Sequence, residues 1–170
     1  TGSVTGTFAI ASHGQGLETT LAQIIADELG VKPDDVKVIQ GDTDKAKHGT
    51  GTYASRSAVI GGGAAIKSVK ILKDKILKVA AHLFDTDPNN IQIEDGIISS
   101  LNTNKSINFS ELAKSVYSDM ETLPVELRES LNATASYDPI YGATTTATHI
   151  ALVEIDKQTF KIKVLKYIVS

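Results

Sequence analysis

The feature that most constrains this sequence is an apolar stripe of helical period through its middle, broken near its start by three successive glycines. Ile66, Val69, Ile76, Val79, Ala80 and Leu83 keep the stripe, while Lys67, Lys70, Lys73 and Lys78 spread around the other side. That pattern predicts one long helix from about Ser55 to Leu83. Gly61, Gly62 and Gly63 each cost such a helix roughly 1 kcal/mol relative to Ala. The helix therefore depends on packing, and a neighbour must come very close at the glycine turn.

The flanking segments supply what that helix packs on. Val4 to Ala11 reads as a strand, Ser12-His-Gly-Gln-Gly16 as a tight loop, and Leu17, Leu21, Ile24, Ile25 and Leu29 as the buried face of a medium helix. Gly30 is placed to cap that helix and Pro33 to prevent its continuation. Val36 to Ile39 is a second strand, and the polar, Gly-rich run from Gly41 to Thr52 is a long loop of the kind that often carries function. Beyond the long helix, Ile91 to Ile98 forms a hairpin about an Asp95-Gly96 type I′ turn, and Ser110 to Tyr117 a short helix. Leu131 to Tyr137 reads as a strand, and His149 to Asp156 with Phe160 to Leu165 as a closing hairpin. The fold class is α+β, with mixed sheets and one long and one medium helix, in a single unit or two small lobes.

Composition narrows the chemistry. The 170 residues contain no Cys, which removes disulfides, Cys-bound zinc or iron–sulfur clusters and thiol nucleophiles. A formal charge of −3 argues against a nucleic-acid partner. The uncharged stretch from Ala58 to Ile66 is far shorter than the roughly 20 residues of a membrane span. With no signal peptide visible, a cytoplasmic location is expected. The chain opens Thr1-Gly-Ser-Val without Met and stops within the alternating pattern of Lys163 to Ser170, and so reads as a piece of something longer.

Two segments are candidates for chemistry. In Ser12-His-Gly-Gln-Gly16, Gly14 and Gly16 flank Gln15 at the mouth of a helix, where a ligand can approach the backbone. The same spacing also fits a capping box between Ser12 and Gln15, with no ligand. Gly49-Thr-Gly-Thr-Tyr-Ala-Ser-Arg-Ser57 brings four hydroxyl side chains besides Tyr53 to the start of the long helix. No acidic residue lies between Asp44 and Asp74, while Lys45, Lys47, Arg56, Lys67, Lys70 and Lys73 are cationic. Arg56 opposes the helix dipole unless an anion such as phosphate occupies the helix start. The alternative is that Ser55 or Ser57 caps the helix while Arg56 points into water or pairs with Asp42 or Asp44. Asp42-Thr-Asp44 begins like a calcium loop but Ala46 and Lys47 break the pattern, and His13, His48, His82 and His149 each lack a second ligand at metal spacing. No metal site held by protein side chains is expected.

Taken together, Ser12 to Gly30, Gly41-Asp-Thr-Asp44 and Gly51-Thr-Tyr-Ala-Ser-Arg-Ser-Ala-Val-Ile-Gly-Gly62 resemble, in order and separation, the large molybdopterin-binding subunit of the molybdenum hydroxylases. These are the xanthine dehydrogenase, aldehyde oxidase and aerobic carbon monoxide dehydrogenase relatives. Tyr141-Gly142, His149 to Asp156 and Lys163 to Tyr167 are similar to the same family, so the resemblance runs from about Val4 to the end.

The resemblance implies a cofactor-binding role for Gly14, Gln15, Gly16, Thr52, Tyr53, Ala54, Ser55, Arg56 and Ser57. Gln15 matches the glutamine that hydrogen-bonds the pterin. Thr52, Ala54, Ser55 and Ser57 match the loop and helix start that hold the cofactor and its phosphate, and Tyr53 and Ala54 border the metal and substrate space. The implied cofactor is molybdopterin with molybdenum, in the cytosine dinucleotide form usual in bacterial relatives, the metal being held by the pterin's dithiolene sulfurs. The implied reaction is oxidation or hydroxylation of an electron-poor carbon in a small-molecule substrate of the purine, aldehyde, N-heterocycle or CO class. Its partners are the remainder of the molybdenum subunit and the iron–sulfur and FAD subunits or domains. The family's general base is a Glu in a Gly-x-Gly-Glu segment, and no Gly follows Gly142 here, so no catalytic residue is assigned and residues 1–170 read as a partial domain, inactive alone. The other reading is a non-catalytic cofactor-binding or subunit-assembly module from a naturally split subunit.

Overall fold

The computed structural model describes residues 2–46, 48–140 and 146–170, which fall into two compact units, 1–140 and 141–170. In the first, β1 (Val4–Phe8) pairs in parallel with β2 (Val36–Gln40), in register from Val4 opposite Val36 to Phe8 opposite Gln40. Parallel pairing needs a crossover, and α1 (Leu17–Leu29) supplies it. The Gly30 cap is present, left-handed with φ 80 and its N–H on Ala26 O. β1 is shorter than the predicted Val4–Ala11 strand because its partner leaves. Gly41, with φ 64, turns the chain after Gln40 and sends its N–H to the carbonyls of Phe8 and Ile10.

The long helix, α2 (Ser57–Phe84), begins two residues later than predicted because Ala54 and Ser55 hold φ values of 52 and 54, outside any helix. Leu17, Leu21, Ile25, Ala26 and Leu29 of α1 share one buried core with Ala65, Val69, Ile76, Val79 and Ala80 of α2. The close approach expected at the glycines occurs three times, each from a different segment. A Cβ on Gly61 would lie 2.5 Å from Ile10 Cδ1, one on Gly62 3.0 Å from Ile24 Cδ1, and one on Gly63 inside the ring of Tyr137. Lysines from elsewhere satisfy carbonyls left open at the C-terminal ends of both helices, Lys73 Nζ reaching Glu28 O at 2.8 Å and Lys105 Nζ reaching Phe84 O at 3.1 Å.

A second sheet follows, with β3 (Ile91–Glu94), β4 (Ile97–Ser100) and β5 (Ser106–Asn108) in antiparallel order. Asp95 at φ 48 and Gly96 at φ 79 make the predicted type I′ turn. β5 was not anticipated; three residues are too few to show an alternation. Asn108 begins a full capping box with Glu111 that starts α3 (Phe109–Tyr117), whose Leu112 and Val116 are buried.

The strand predicted at Leu131–Tyr137 pairs with no strand among the described residues. The segment is extended and alternates half-buried with exposed residues, as a strand would, but its carbonyls bond to side chains of α2. Lys75 Nζ meets Asn132 O at 3.1 Å and Lys67 Nζ meets Ser136 O at 3.4 Å. Eight residues of helix and four of extended chain both cover about 12–13 Å, so the two lysines match the pitch of the strap they hold.

In the second unit, β6 (His149–Ile155) and β7 (Ile162–Val169) form the predicted antiparallel hairpin, with an irregularity at Leu152/Val153 and β7 running further than expected. Tyr141 and Gly142, part of the resemblance, lie outside the described residues.

Candidate functional site

The Ser12–Gly16 turn is built on two left-handed glycines, Gly14 at φ 97 and Gly16 at φ 75, neither of which has a neighbour within 4 Å of a hypothetical Cβ. Gln15 Oε1 folds inward, accepting from His13 N at 2.5 Å and Ser12 Oγ at 3.2 Å, while Gly14 N donates to Ser12 Oγ at 3.3 Å. The capping-box alternative does not form. Gln15 serves the His13 amide, and the N-cap of α1 is Gly16, without a side-chain cap. The carbonyl end of Gln15 is thus fixed, and its exposed Nε2 donates to no protein group among the described residues.

The second segment meets the first through one side chain. Thr52 Oγ1 lies 2.6 Å from Ala11 O, 3.2 Å from Ala11 N and 3.0 Å from Ser57 Oγ. Tyr53, Ala54 and Ser55 are exposed, and the paired left-handed conformations of Ala54 and Ser55 cost about 1–2 kcal/mol each. Such strain at non-glycine residues points to a site. Arg56 is the N-cap of α2, with no side-chain cap and no acid in the first turn. Its guanidinium stacks 4.0 Å from the centroid of Tyr53, Nη2 donates to Thr50 Oγ1, and Nε is buried without a partner.

Neither serine caps α2. Ser55 precedes the helix in a left-handed conformation, and Ser57, 5% exposed, donates to Thr52. Arg56 is half-buried rather than solvated, and it makes no ion pair among the described residues. Asp42 instead pairs with Lys45 at 3.6 Å and accepts the Asp44 and Lys45 amides. The contribution of Ala11 is not legible in the sequence, because it acts through its backbone.

The two segments therefore present donors rather than ligands for a metal. They offer Gln15 Nε2, the first-turn N–H groups of two helices without side-chain caps, and the guanidinium of Arg56, against which no carboxylate is set. That suits the carbonyl, ring-nitrogen and phosphate acceptors of a pterin nucleotide. Among the described residues no group of three or more His, Asp or Glu is placed to hold a metal ion, and no helix is long and apolar enough to cross a membrane. His82 faces Thr122 O and His149 the Tyr167 hydroxyl, His48 is exposed, and Lys47, one of the cations of the acid-free run, lies outside the described residues. An open recess of about 420 Å³ beside Leu83, Phe84 and Ile107 adjoins the other end of α2, and its Lys105 is already bonded to Phe84 O.

The comparisons with known proteins agree with this chemistry. Residues 1–170 match the family model for the molybdopterin cofactor-binding domain. The chain is 35% identical over 167 residues to the large subunit of nicotine 6-hydroxylase from Paenarthrobacter nicotinovorans, covering 98% of this chain and 20% of that one. It is 32% identical over 168 residues to the large chain of carbon monoxide dehydrogenase from Hydrogenophaga pseudoflava, again with 98% and 20% covered. The crystal structure of quinoline 2-oxidoreductase from Pseudomonas putida 86 superimposes with a TM-score of 0.76 at 39% identity, over 98% of this chain and 21% of that one. The chain spans about a fifth of the length of these relatives. With the whole of its length matched and its exposed donors suited to a pterin nucleotide, this chain belongs to the molybdopterin cofactor-binding domain family.

Proposed function

We propose that residues 1–170 form part of the cradle for a molybdenum–pterin cofactor in an oxidoreductase that hydroxylates or oxidises an electron-poor carbon. The observation that carries this reading is the joining, through Thr52, of two segments that offer the Gln15 amide, the first-turn N–H groups of two helices without side-chain caps and the Arg56 guanidinium. Gln15 Nε2 is held outward to donate to the pterin. The left-handed Ala54–Ser55 turn and the first turn of α2 direct N–H groups at a phosphate, with Arg56 providing charge. Tyr53, kept in place by the Arg56 stack, forms a wall beside the pterin. When bound, the cofactor supplies the metal centre at which the carbon is oxidised. The cytosine dinucleotide form, iron–sulfur and FAD partners and a cytoplasmic location complete the proposal. A relative from Paenarthrobacter nicotinovorans bears the name of a dehydrogenase complex subunit, which favours a multi-subunit assembly.

The test is a ¹H–¹⁵N spectrum of the chain titrated with inorganic pyrophosphate and with cytidine 5′-diphosphate. Amide shifts are expected at Gly14–Gly16 and at Arg56–Val59, and Arg56→Glu should abolish the second set. Titrations that move neither segment would overturn the cradle. The general base being outside these residues, the chain by itself is expected to hydroxylate no purine or aldehyde.

A further inference from the structure

The hydrogen bonds around Thr52 leave its proton only one place to go. A hydroxyl has one hydrogen and two lone pairs. Ala11 O can only accept, and at 2.6 Å it takes the Thr52 hydrogen. Ala11 N can only donate, and it occupies one Thr52 lone pair at 3.2 Å. Ser57 Oγ, 3.0 Å away, must then donate to the other. The Thr52 hydroxyl is saturated, and the Ser57 hydrogen is committed to it. What remains on Ser57 Oγ is acceptor capacity alone, which a phosphate oxygen or a pterin carbonyl cannot use.

We infer that Thr52 is a positioning residue and that neither its hydroxyl nor that of Ser57 donates to the cofactor phosphate. This deepens the cradle reading and rests on it, but it changes which residues donate to the phosphate: Ser55, Arg56 and the backbone N–H groups do, while Thr52 and Ser57 set the distance between the two segments. The placement explains why one side chain suffices. Ala11 immediately precedes the Ser12–Gly16 turn, and Thr52 immediately precedes Tyr53–Ser57. Ala11 also lies beyond Phe8, where β1 loses its partner strand, so Thr52 provides both of the bonds that a neighbouring strand would have given.

Amide hydrogen exchange of the chain tests this. In Thr52→Val, Ala11 and the amides of 12–16 are expected to exchange about tenfold faster after normalisation to the core amides of Ile76 and Ile98, and Thr52→Ser should restore them to within about threefold. A role in global stability alone would move Ile76 and Ile98 equally. If Thr52→Val leaves Ala11 exchange unchanged, or Thr52→Ser fails to restore it, the clasp is overturned. Should Thr52→Val not fold, Ser57→Ala decides. The pyrophosphate-induced shifts at Arg56–Val59 should survive it, and their loss with Ala11 exchange unchanged would make Ser57 a contact and overturn the inference. Absence of pyrophosphate shifts in the unmodified chain would count against the cradle, while the Thr52→Val exchange pattern would still decide the clasp by itself.

Discussion

The ring of Tyr137 stands where a side chain on Gly63 would have to be, its Cγ 2.5 Å from the position a Cβ would take. Lys67 lies over the same ring, 5.1 Å from its centroid. Strap and helix are thus locked at one point by a missing atom, and the lock makes the two positions interdependent.

Gly63→Ala gains about 1 kcal/mol of helix propensity but must expel the ring, so the single change is expected to be neutral or destabilising. Tyr137→Ala loses the packing and should destabilise by about 1–3 kcal/mol. With the ring removed, adding Gly63→Ala should recover about 1 kcal/mol. Urea unfolding of the four proteins checks this; strict additivity would show that the ring does not occupy the notch.

Two left-handed glycines separate conformational cost from collision. Gly96, at φ 79, has nothing within 4 Å of a Cβ, so Gly96→Ala should cost about 1–2 kcal/mol. Gly30, at φ 80, would place its Cβ 2.5 Å from Ile93 O, a backbone atom, and Gly30→Ala should cost about 2–5 kcal/mol. Thermal melts giving equal losses would contradict the assigned approach of α1 to β3.

Two neighbouring charges on α2 should behave differently. Asp74 pairs with Lys78 at 2.7 Å on an exposed face, and Asp74→Asn should change stability by less than about 0.5 kcal/mol. Lys73, half-buried, serves a free carbonyl at the end of α1, and Lys73→Met should cost about 1 kcal/mol. A chemical-denaturation series in which Asp74→Asn is the more damaging would refute this.

In the hairpin unit, the Asp156 carboxylate accepts the N–H groups of Thr159 at 2.7 Å and Gln158 at 2.8 Å. These bonds, Thr159 first, hold its pKa below the ordinary aspartate value. A depressed folded-state pKa means that the turn is favoured above the unfolded value and loses that support as the pH falls through the folded one. The Gln158 and Thr159 amide shifts should therefore titrate with a midpoint below about 3.9, the value for an unstructured Asp. A midpoint at or above that value would show that the turn is not formed in solution.

What the sequence revealed and what it hid divide along the range of the interactions. α1, its Gly30 cap and the Asp95-Gly96 turn are set by residues within a few positions of one another and were legible. The strap at Leu131–Tyr137 shows the alternation of a strand, yet its partners are lysine side chains more than fifty residues away, and nothing in the alternation distinguishes them from a ladder. The start of α2 was read too early because Ala and Ser rarely adopt positive φ, so no residue type announces the turn at Ala54–Ser55. At the proposed site, glycines and an acid-free run of cations marked both segments. The clasp between them depends on the backbone of Ala11 and could only be seen in three dimensions.

The three glycines of α2 bear on how the proposed cradle comes into being. A free peptide of residues 57–84 would be frayed up to Gly63 and helical mainly beyond it, since three glycines together weaken that turn by roughly 3 kcal/mol. The turn bearing Ser57 thus becomes helical only once Ile10, Ile24 and Tyr137 have seated against the helix. Local order at the cradle is in this sense a late product of folding. A lesion in β1, α1 or the strap, far from any ligand, would first be felt as a loosened grip on the cofactor.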